Sequence, residues 1–365
     1  MLVILLRLLM NKDLTFIAPG NSIHSFKWIS SIEERYDGDI YWITFFGADY
    51  SIPGVRQIEF ERNIKGLLNA IFFVKKHTKG IIHIHSLGFH LLFFLLSRCM
   101  FIKNKMVTTP WGSDLIYGRW NFIKLLMLKN IFKNSALVTC DAVFMKELIR
   151  DIYPLARVKL INFGVDTDKF SFKKRVISKG NPFKLLSIRN LEDIYNIECI
   201  VRMMDIVSQK GLNVQLSIYA DGSLKKKLQR LVSNLHLDDK ILFFGRYSQD
   251  DLVNILASHD AFVSMARSDA GIASSTAEAM ATGMICLVSD VAENSLWISH
   301  NVSGFLVRNN DHKDLSRNIE LIVLGKIDVS DIGTKAREKI VSCNSIVGEM
   351  EKMNNIYLSL EKHFV

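Results

Sequence analysis

The chain has 365 residues, 49% of them hydrophobic and 23% charged, with mean hydropathy +0.16; this excludes a disordered chain and exceeds what one core usually serves, so two domains are expected. Lysine and arginine outnumber aspartate and glutamate by 46 to 37, giving a formal charge of +9 and a pI near 9.2, which suits anionic partners without choosing among nucleotide diphosphates, nucleic acid and anionic lipid. The cysteines (Cys99, Cys140, Cys199, Cys286, Cys343) lack the paired spacing of a zinc site and the density of a disulfide framework, and a reducing cytoplasm is the simplest compartment.

The opening segment Met1 to Met10 is apolar but too short to span a bilayer, and no small-residue cleavage site follows it. A membrane-touching leader, a first strand and residues upstream of the true start are the readings open for it. Short apolar runs then alternate with longer helix-like ones, the pattern of an α/β protein with parallel sheets. In the first half the predicted strands are Leu14 to Ala18, Ile40 to Phe45, Gly80 to His85, Met106 to Thr109, Ala136 to Thr139 and Val158 to Asn162. Basic residues beside apolar runs at Phe89 to Arg98 and Phe122 to Asn130 tip the choice among anionic partners toward lipid; two buried helices are the alternative.

Polar groups follow several of these strands. In Pro19 to Trp28, Gly20 permits close backbone approach to a ligand, and Asn21, Ser22 and His24 offer hydrogen bonds. His83, His85 and His90 cluster near another strand end, with His85 the best placed. Pro110 to Leu115 carries Trp111 and Asp114. Plain strand-to-helix turns and structural histidines are the competing explanations.

Periodicity lapses from Gly164 to Arg175 and again through Ser178 to Pro182, so residues 171–183 read as an interdomain linker after a Rossmann-like domain over 1–170. Alternation restarts at Phe183 to Ile188 and continues at Val214 to Tyr219, Ile241 to Phe244, Ala261 to Ser264, Ile285 to Ser289 and Gly304 to Val307, a second Rossmann-like domain over 184–344. The last segment, 345–365, is helix-like to about His363 and is a candidate to pack back on the N-terminal domain. Two such sheets in tandem place their strand ends on either side of a cleft, where ligands of parallel sheets bind.

Asp269 to Gly283 is the most informative stretch. It follows a strand, passes through Gly271 and the hydroxyl residues Ser274, Ser275 and Thr276, and enters a helix at about Ser275 to Ala281. Serine and threonine can cap such a helix, whose first amides and dipole can hold phosphate. Glu278, one turn in, can accept hydrogen bonds from a ribose diol; a solvated glutamate on an ordinary helix is the alternative. The Asp-x-Asp pairs and the histidines form no ligand set that argues for a metal, no Gly-x-Gly-x-x-Gly turn supports a nicotinamide oxidoreductase, and scattered basic residues without a motif argue against nucleic acid.

The order strand, acid, glycine, small residues, then Ala277 to Gly283 resembles the donor-site motif of the family 4 retaining glycosyltransferases, whose GT-B fold sets two Rossmann-like domains face to face across a cleft. Leu216 to Leu224, with Gly222, resembles the strand and glycine loop ahead of a basic helix. Ile241 to Tyr247, with Gly245 and Arg246, resembles the strand ending beside the nucleotide base, and Asn301 to Val307 the late turn and strand, so the resemblance covers nearly the whole chain. It implies that Glu278 contacts the ribose, Arg189 binds the donor diphosphate, and Asp269 is the acid near the sugar. Three departures stand out: the spacing puts the first acid at Ala270, one residue past Asp269; Ile194 occupies a place where lysine is common; and Trp111 stands where many relatives have a sugar-contacting histidine, which leaves Asp114 and His85 as the polar candidates of that domain.

The implied activity is transfer of a sugar from a nucleotide-diphosphate donor with retention of configuration, without cofactor or metal, to an acceptor held chiefly by the N-terminal domain. Basic and apolar helices there suit a lipid-linked oligosaccharide, with the protein cytoplasmic and peripheral on the inner membrane face, in O-antigen or capsule assembly. A non-catalytic or partner-dependent relative of the same fold, binding a sugar or nucleotide, is the alternative, and it draws on Ala270, Ile194 and Trp111.

Overall fold

The computed structural model describes residues 13–100, 102, 104–116, 121–177, 180–269 and 271–362; the opening segment Met1 to Met10 and Ala270 lie outside them. The chain divides into two compact units, one comprising the residues up to Gly164 together with those from Ile346 onward, the other Val165–Ser345.

Seven parallel strands form the sheet of the first unit: β1 (Asp13–Ile17), β2 (Asp39–Thr44), β3 (Val55–Glu59), β4 (Ile81–His85), β5 (Met106–Thr109), β6 (Leu137–Cys140) and β7 (Val158–Leu160), in the order β3-β2-β1-β4-β5-β6-β7. Strands β1 and β4 to β6 are buried along their whole length, as an apolar run covered by helices on both faces must be. On one face, side chains such as Ile82, Ile84 and Val138 meet the helices Ile64–His77, His90–Cys99, Phe122–Asn134 and Val143–Ile152. On the other, Leu14, Phe16 and Trp42 meet the helix Ile23–Glu33 and the last helix, Ile346–Lys362. That last helix is fastened to the first unit: Met350, Met353 and Tyr357 are fully buried, the Asn162 amide donates to Glu349 (2.8 Å), Lys105 donates to the Leu360 carbonyl (2.7 Å), and Tyr36 bonds Glu361.

The second unit carries β8 (Phe183–Ser187), β9 (Val214–Ile218), β10 (Ile241–Phe243), β11 (Ala261–Ser264), β12 (Ile285–Ser289) and β13 (Phe305–Val307), all parallel, in the order β10-β9-β8-β11-β12-β13. The two-residue period is plain in β8, where Leu185 joins the core under helices Ile197–Gln209 and His312–Val323 while Leu186 joins that under Ser274–Ala281 and Ile332–Asn344. Residues 171–177, in the expected linker, are strapped to this unit: Arg175 donates to the carbonyls of Leu256 (3.0 Å) and Ala257 (3.3 Å), and Lys173 to that of Ala257 (2.8 Å).

Every strand read from the sequence is present, and both sheets are doubly wound. Strand β3 was not predicted; its Arg56 and Glu59 are exposed, and an edge strand so exposed leaves no apolar run to read.

The helix Ser274–Ala281 is held from behind. Arg337 of Ile332–Asn344 donates to the carbonyls of Ala281 (2.8 Å), Phe170 (2.6 Å) and Thr167 (2.8 Å), placing a cation at that helix's C-terminal end. Gly333 lets the two helices meet, since a Cβ there would overlap the Gly283 carbonyl oxygen. Gly333→Val should therefore lower stability by about 1–3 kcal/mol, read as the denaturant midpoint, whereas Lys335→Ala on the exposed flank of the same helix should move it by less than about 0.5 kcal/mol.

Candidate active site

In the second sheet the strand order reverses direction between β8 and β11, and ligands of doubly wound sheets bind at that point, beyond the carboxyl ends of the strands. Arg189 follows β8, and the loop beginning at Arg267 follows β11. Their side chains meet: Arg189 Nη2 pairs with Asp269 Oδ1, and Arg189 Nη1 donates to Ser275 Oγ at 3.2 Å. The Tyr195 ring lies under the guanidinium, 4.5 Å from Cζ. Only 10% of the Arg189 side chain and 7% of that of Asp269 is exposed. Burial pushes the Asp269 carboxyl up, and the adjacent guanidinium pulls it back part of the way.

Tyr195 is supplied by a short 3-10 turn, Asp193–Tyr195, which Arg267 holds by donating to the Asp193 carbonyl (2.7 Å) and to Asn196 Oδ1 (3.3 Å). Sequence reasoning noted the isoleucine at 194 and passed over the aromatic next to it, because nothing local marks a tyrosine as the platform of a distant arginine. Tyr247 was also missed. Burial pushes its hydroxyl up, Glu278 adds to that and Arg189 opposes it, which puts all three within electrostatic reach of one another.

Glu278 is 6% exposed, on the helix Ser274–Ala281. That helix departs from expectation at its start: the N-cap is Ala273 and no side chain caps it, so its first amides are left for other acceptors. Of the three hydroxyl residues, Ser274 is exposed, Ser275 faces Arg189, and Thr276 is buried at 1% exposure, which removes the Thr276 side chain from the candidate contacts. Gly271 takes φ +63° on the approach to the helix.

The other second-unit candidates stand at the ends of β9 and β10. A Cβ at Gly222 would come within 2.6 Å of the Leu191 carbonyl oxygen, so this glycine lets the loop after β9 close on the loop after β8. Gly245, at φ +81°, lies between Phe244 and Arg246; the Phe244 ring, 51% exposed, stacks on Tyr219 with centroids 4.4 Å apart. Arg246 is exposed and lies near enough to Asp221 to lower its pKa.

In the first unit three candidates turn out to serve the fold. His85 has no exposure and neither ring nitrogen has a hydrogen-bond partner; burial pushes it down to about 3, so it is a neutral ring packed edge-on to Trp28 with centroids 5.0 Å apart. Asp114 Oδ2 accepts from the backbone amides of Leu87 and Trp111, each at 2.8 Å, and so pins the loops after β4 and β5 to one another. Gly20 is required by its own fold, since a Cβ would overlap the Gly47 carbonyl, and its amide donates to Thr44 Oγ1 at 2.8 Å. Asn21 is exposed, Ser22 partly so, and His24 lies against Phe163 (5.0 Å) and Trp111 (6.2 Å), with burial lowering its pKa. Among the described residues no three His, Cys, Asp or Glu side chains converge as a metal site.

Known proteins decide the class. Residues 168–339, most of the second unit, match the family model for glycosyl transferases group 1. The second unit is a glycosyl transferases group 1 domain, and the fold is that of the GT-B glycosyltransferases. Over 322 residues the chain is 24% identical to the Escherichia coli UDP-Gal:alpha-D-GlcNAc-diphosphoundecaprenol alpha-1,3-galactosyltransferase, covering 84% of this chain and 82% of that one. It is 25% identical to the amylovoran biosynthesis glycosyltransferase AmsK of Erwinia amylovora over 66% of this chain, a match that spans 60% of AmsK. In fold it resembles the sucrose-phosphate synthase of Thermosynechococcus elongatus, with TM-score 0.78 at 15% identity over 96% of this chain and 99% of that one. Anabaena HepE, solved with UDP, gives the same TM-score, 0.78, at 14% identity over 95% of this chain and 100% of that one.

The buried pair gives this glycosyltransferase a measurable weak point. Arg189→Met leaves the Asp269 carboxylate buried without its cation and should cost about 3–5 kcal/mol, most of it recovered when Asp269→Asn is added. Because burial raises the folded-state pKa of Asp269, the unpaired acid penalises folding only where it is ionised. The loss in Arg189→Met should accordingly shrink as pH falls from 8 toward 5, as measured by denaturant unfolding at each pH.

Proposed function

We propose that this glycosyltransferase moves a sugar from a nucleotide-diphosphate donor to a lipid-linked glycan acceptor, with retention at the anomeric carbon, in the assembly of a cell-surface polysaccharide such as O-antigen or capsule. The observation that carries the donor half is the convergence of Arg189, Ser275 and the uncapped start of Ser274–Ala281 at the switch point of the second sheet, with Glu278 one turn further along. A guanidinium and a row of backbone amides aimed at one place suit two linked phosphates, and stabilise the charge that grows on the diphosphate as the glycosidic bond to it breaks. Glu278 then accepts from the ribose hydroxyls, and no metal is required in this reading. Leaving-group oxygens beside the acceptor can take its proton, which accounts for retention without a protein nucleophile.

Support for the acceptor half comes from the E. coli relative, whose name specifies a diphosphoundecaprenol-linked sugar, and from the relatives named for amylovoran and colanic acid biosynthesis. Among the described residues no helix is long and apolar enough to cross a membrane. A lipid-linked acceptor would therefore be met from the membrane surface, with the protein peripheral on its cytoplasmic side. The exposed Asn21 and the partly exposed Ser22 and His24, beyond β1 at the switch point of the first sheet, are the groups assigned to that acceptor.

A panel of nucleotide sugars screened by thermal shift and then by turnover tests the reading. At least one should raise the melting temperature and be consumed, and Glu278→Ala should weaken its binding about tenfold or more, the value of a charged hydrogen-bond acceptor. If none stabilises the wild-type protein, or if Glu278→Ala binds and turns over as well as wild type, the donor-site assignment fails.

A further inference from the structure

We propose that one helical face of the first unit docks on an anionic membrane surface; this rests on the lipid-linked acceptor proposed above and names the surface that would reach it. The helices Ile64–His77, His90–Cys99 and Phe122–Asn134 lie side by side on one face of the sheet, with His90–Cys99 in the middle. None of the three contains an acidic residue, while together they hold six lysines and Arg98. This is a local property and not a reflection of the overall positive charge: the next helix, Val143–Ile152, has Glu147 and Asp151, and both helices on the opposite face carry glutamates. The nearest acids by sequence are Glu59 and Glu61, ahead of the first of the three.

The outward stripes of these helices are amphipathic along their length. On Phe122–Asn134 the residues at helical spacing that face away from the core are Phe122, Leu126, Lys129 and Lys133, and Phe122, Ile123 and Leu126 are 72%, 69% and 52% exposed. On Ile64–His77 the outward row is Lys65, Asn69, Phe72 and Lys76, with Phe72 56% exposed and Ile64, at the helix start, 74%. Leu92 is exposed between them. Large aliphatic and aromatic groups interleaved with lysines are the composition that inserts among acyl chains while meeting lipid phosphates.

Topology places the apolar end usefully. In a parallel α/β unit each helix begins beyond the carboxyl end of the strand before it, so Ile64, Phe122 and Ile123 stand toward the edge of the sheet that bears the ligand loops, and Lys75, Lys76 and Lys133 toward the far edge. A bilayer touching this face would lie beside the loop after β4, which leads into His90–Cys99, at the edge of the sheet where an acceptor anchored in that bilayer can present its head.

Sedimentation with vesicles tests this. The wild-type protein should pellet with phosphatidylcholine vesicles containing phosphatidylglycerol, weakly with pure phosphatidylcholine, and less as salt rises. Lys76→Gln/Lys129→Gln/Lys133→Gln should weaken binding on the order of 100-fold, about fivefold for each lysine, and Phe122→Ser/Leu126→Ser should weaken it at any salt. The nucleotide-sugar thermal shift, measured on the same samples, should be unchanged in both variants. Loss of vesicle binding with an intact donor response is the supporting result. Wild-type protein that ignores anionic vesicles, binds neutral ones equally well, or is a stable dimer dissociated by Phe122→Asp overturns the proposal, whereas failure of the donor response in wild type counts against the donor site alone.

Discussion

A guanidinium nine-tenths buried has to be given acceptors and a flat surface, and around Arg189 the second unit supplies both from separate parts of the chain. Asp269 comes from the loop after β11, Ser275 from the helix that follows, and the Tyr195 ring from the turn after β8. Satisfying one cation thus fixes the ends of neighbouring strands relative to the start of the helix Ser274–Ala281. Arg189 Nε, buried and without a partner, shows that the fork is not saturated by the protein alone. Diphosphate oxygens, like the carboxylate that pairs with it here, are anionic acceptors that suit a guanidinium fork, so Asp269 is the group that would yield Arg189 to a donor.

The first unit is organised by a different rule. Its polar groups near the strand ends are largely committed to the fold: Asp114 ties two loops, His83 lies between Tyr357 (2.5 Å) and Thr109 (2.6 Å), and His85 packs as a neutral ring. What remains near the ligand edge is Asn21, Ser22, His24 and Trp111, a sparse and partly aromatic set. A unit that carries apolar helices with lysines and no acids on one face would suit the surface-delivered acceptor proposed above.

Fold class was legible because strands buried on both faces read as short, largely apolar runs, as β1, β11 and β12 do. Strand β3 escaped because its exposed edge residues carry no such run. Arg189 and Glu278 were singled out through the family resemblance and the helix start through its strand, glycine and small residues; the structure brings Arg189 against Ser275 at that start. Asp269 was singled out too, yet its displacement by one residue in sequence gave no hint that it pairs with Arg189, a contact between residues 80 apart. His85, Asp114, Gly20 and Thr276 are residue types at home in active sites, and only burial and hydrogen-bond partners distinguish a staple from a ligand contact.

The central claim is that Arg189 receives the donor diphosphate, and the most direct measurement is calorimetric titration of the nucleoside mono- and diphosphate of the preferred base into wild type and Arg189→Met/Asp269→Asn. In wild type the second phosphate should add about 1.5–3 kcal/mol of binding, the range for hydrogen bonds to charged groups, and in the double variant that increment should vanish while the monophosphate binds as before. An undiminished increment in the double variant would contradict the account.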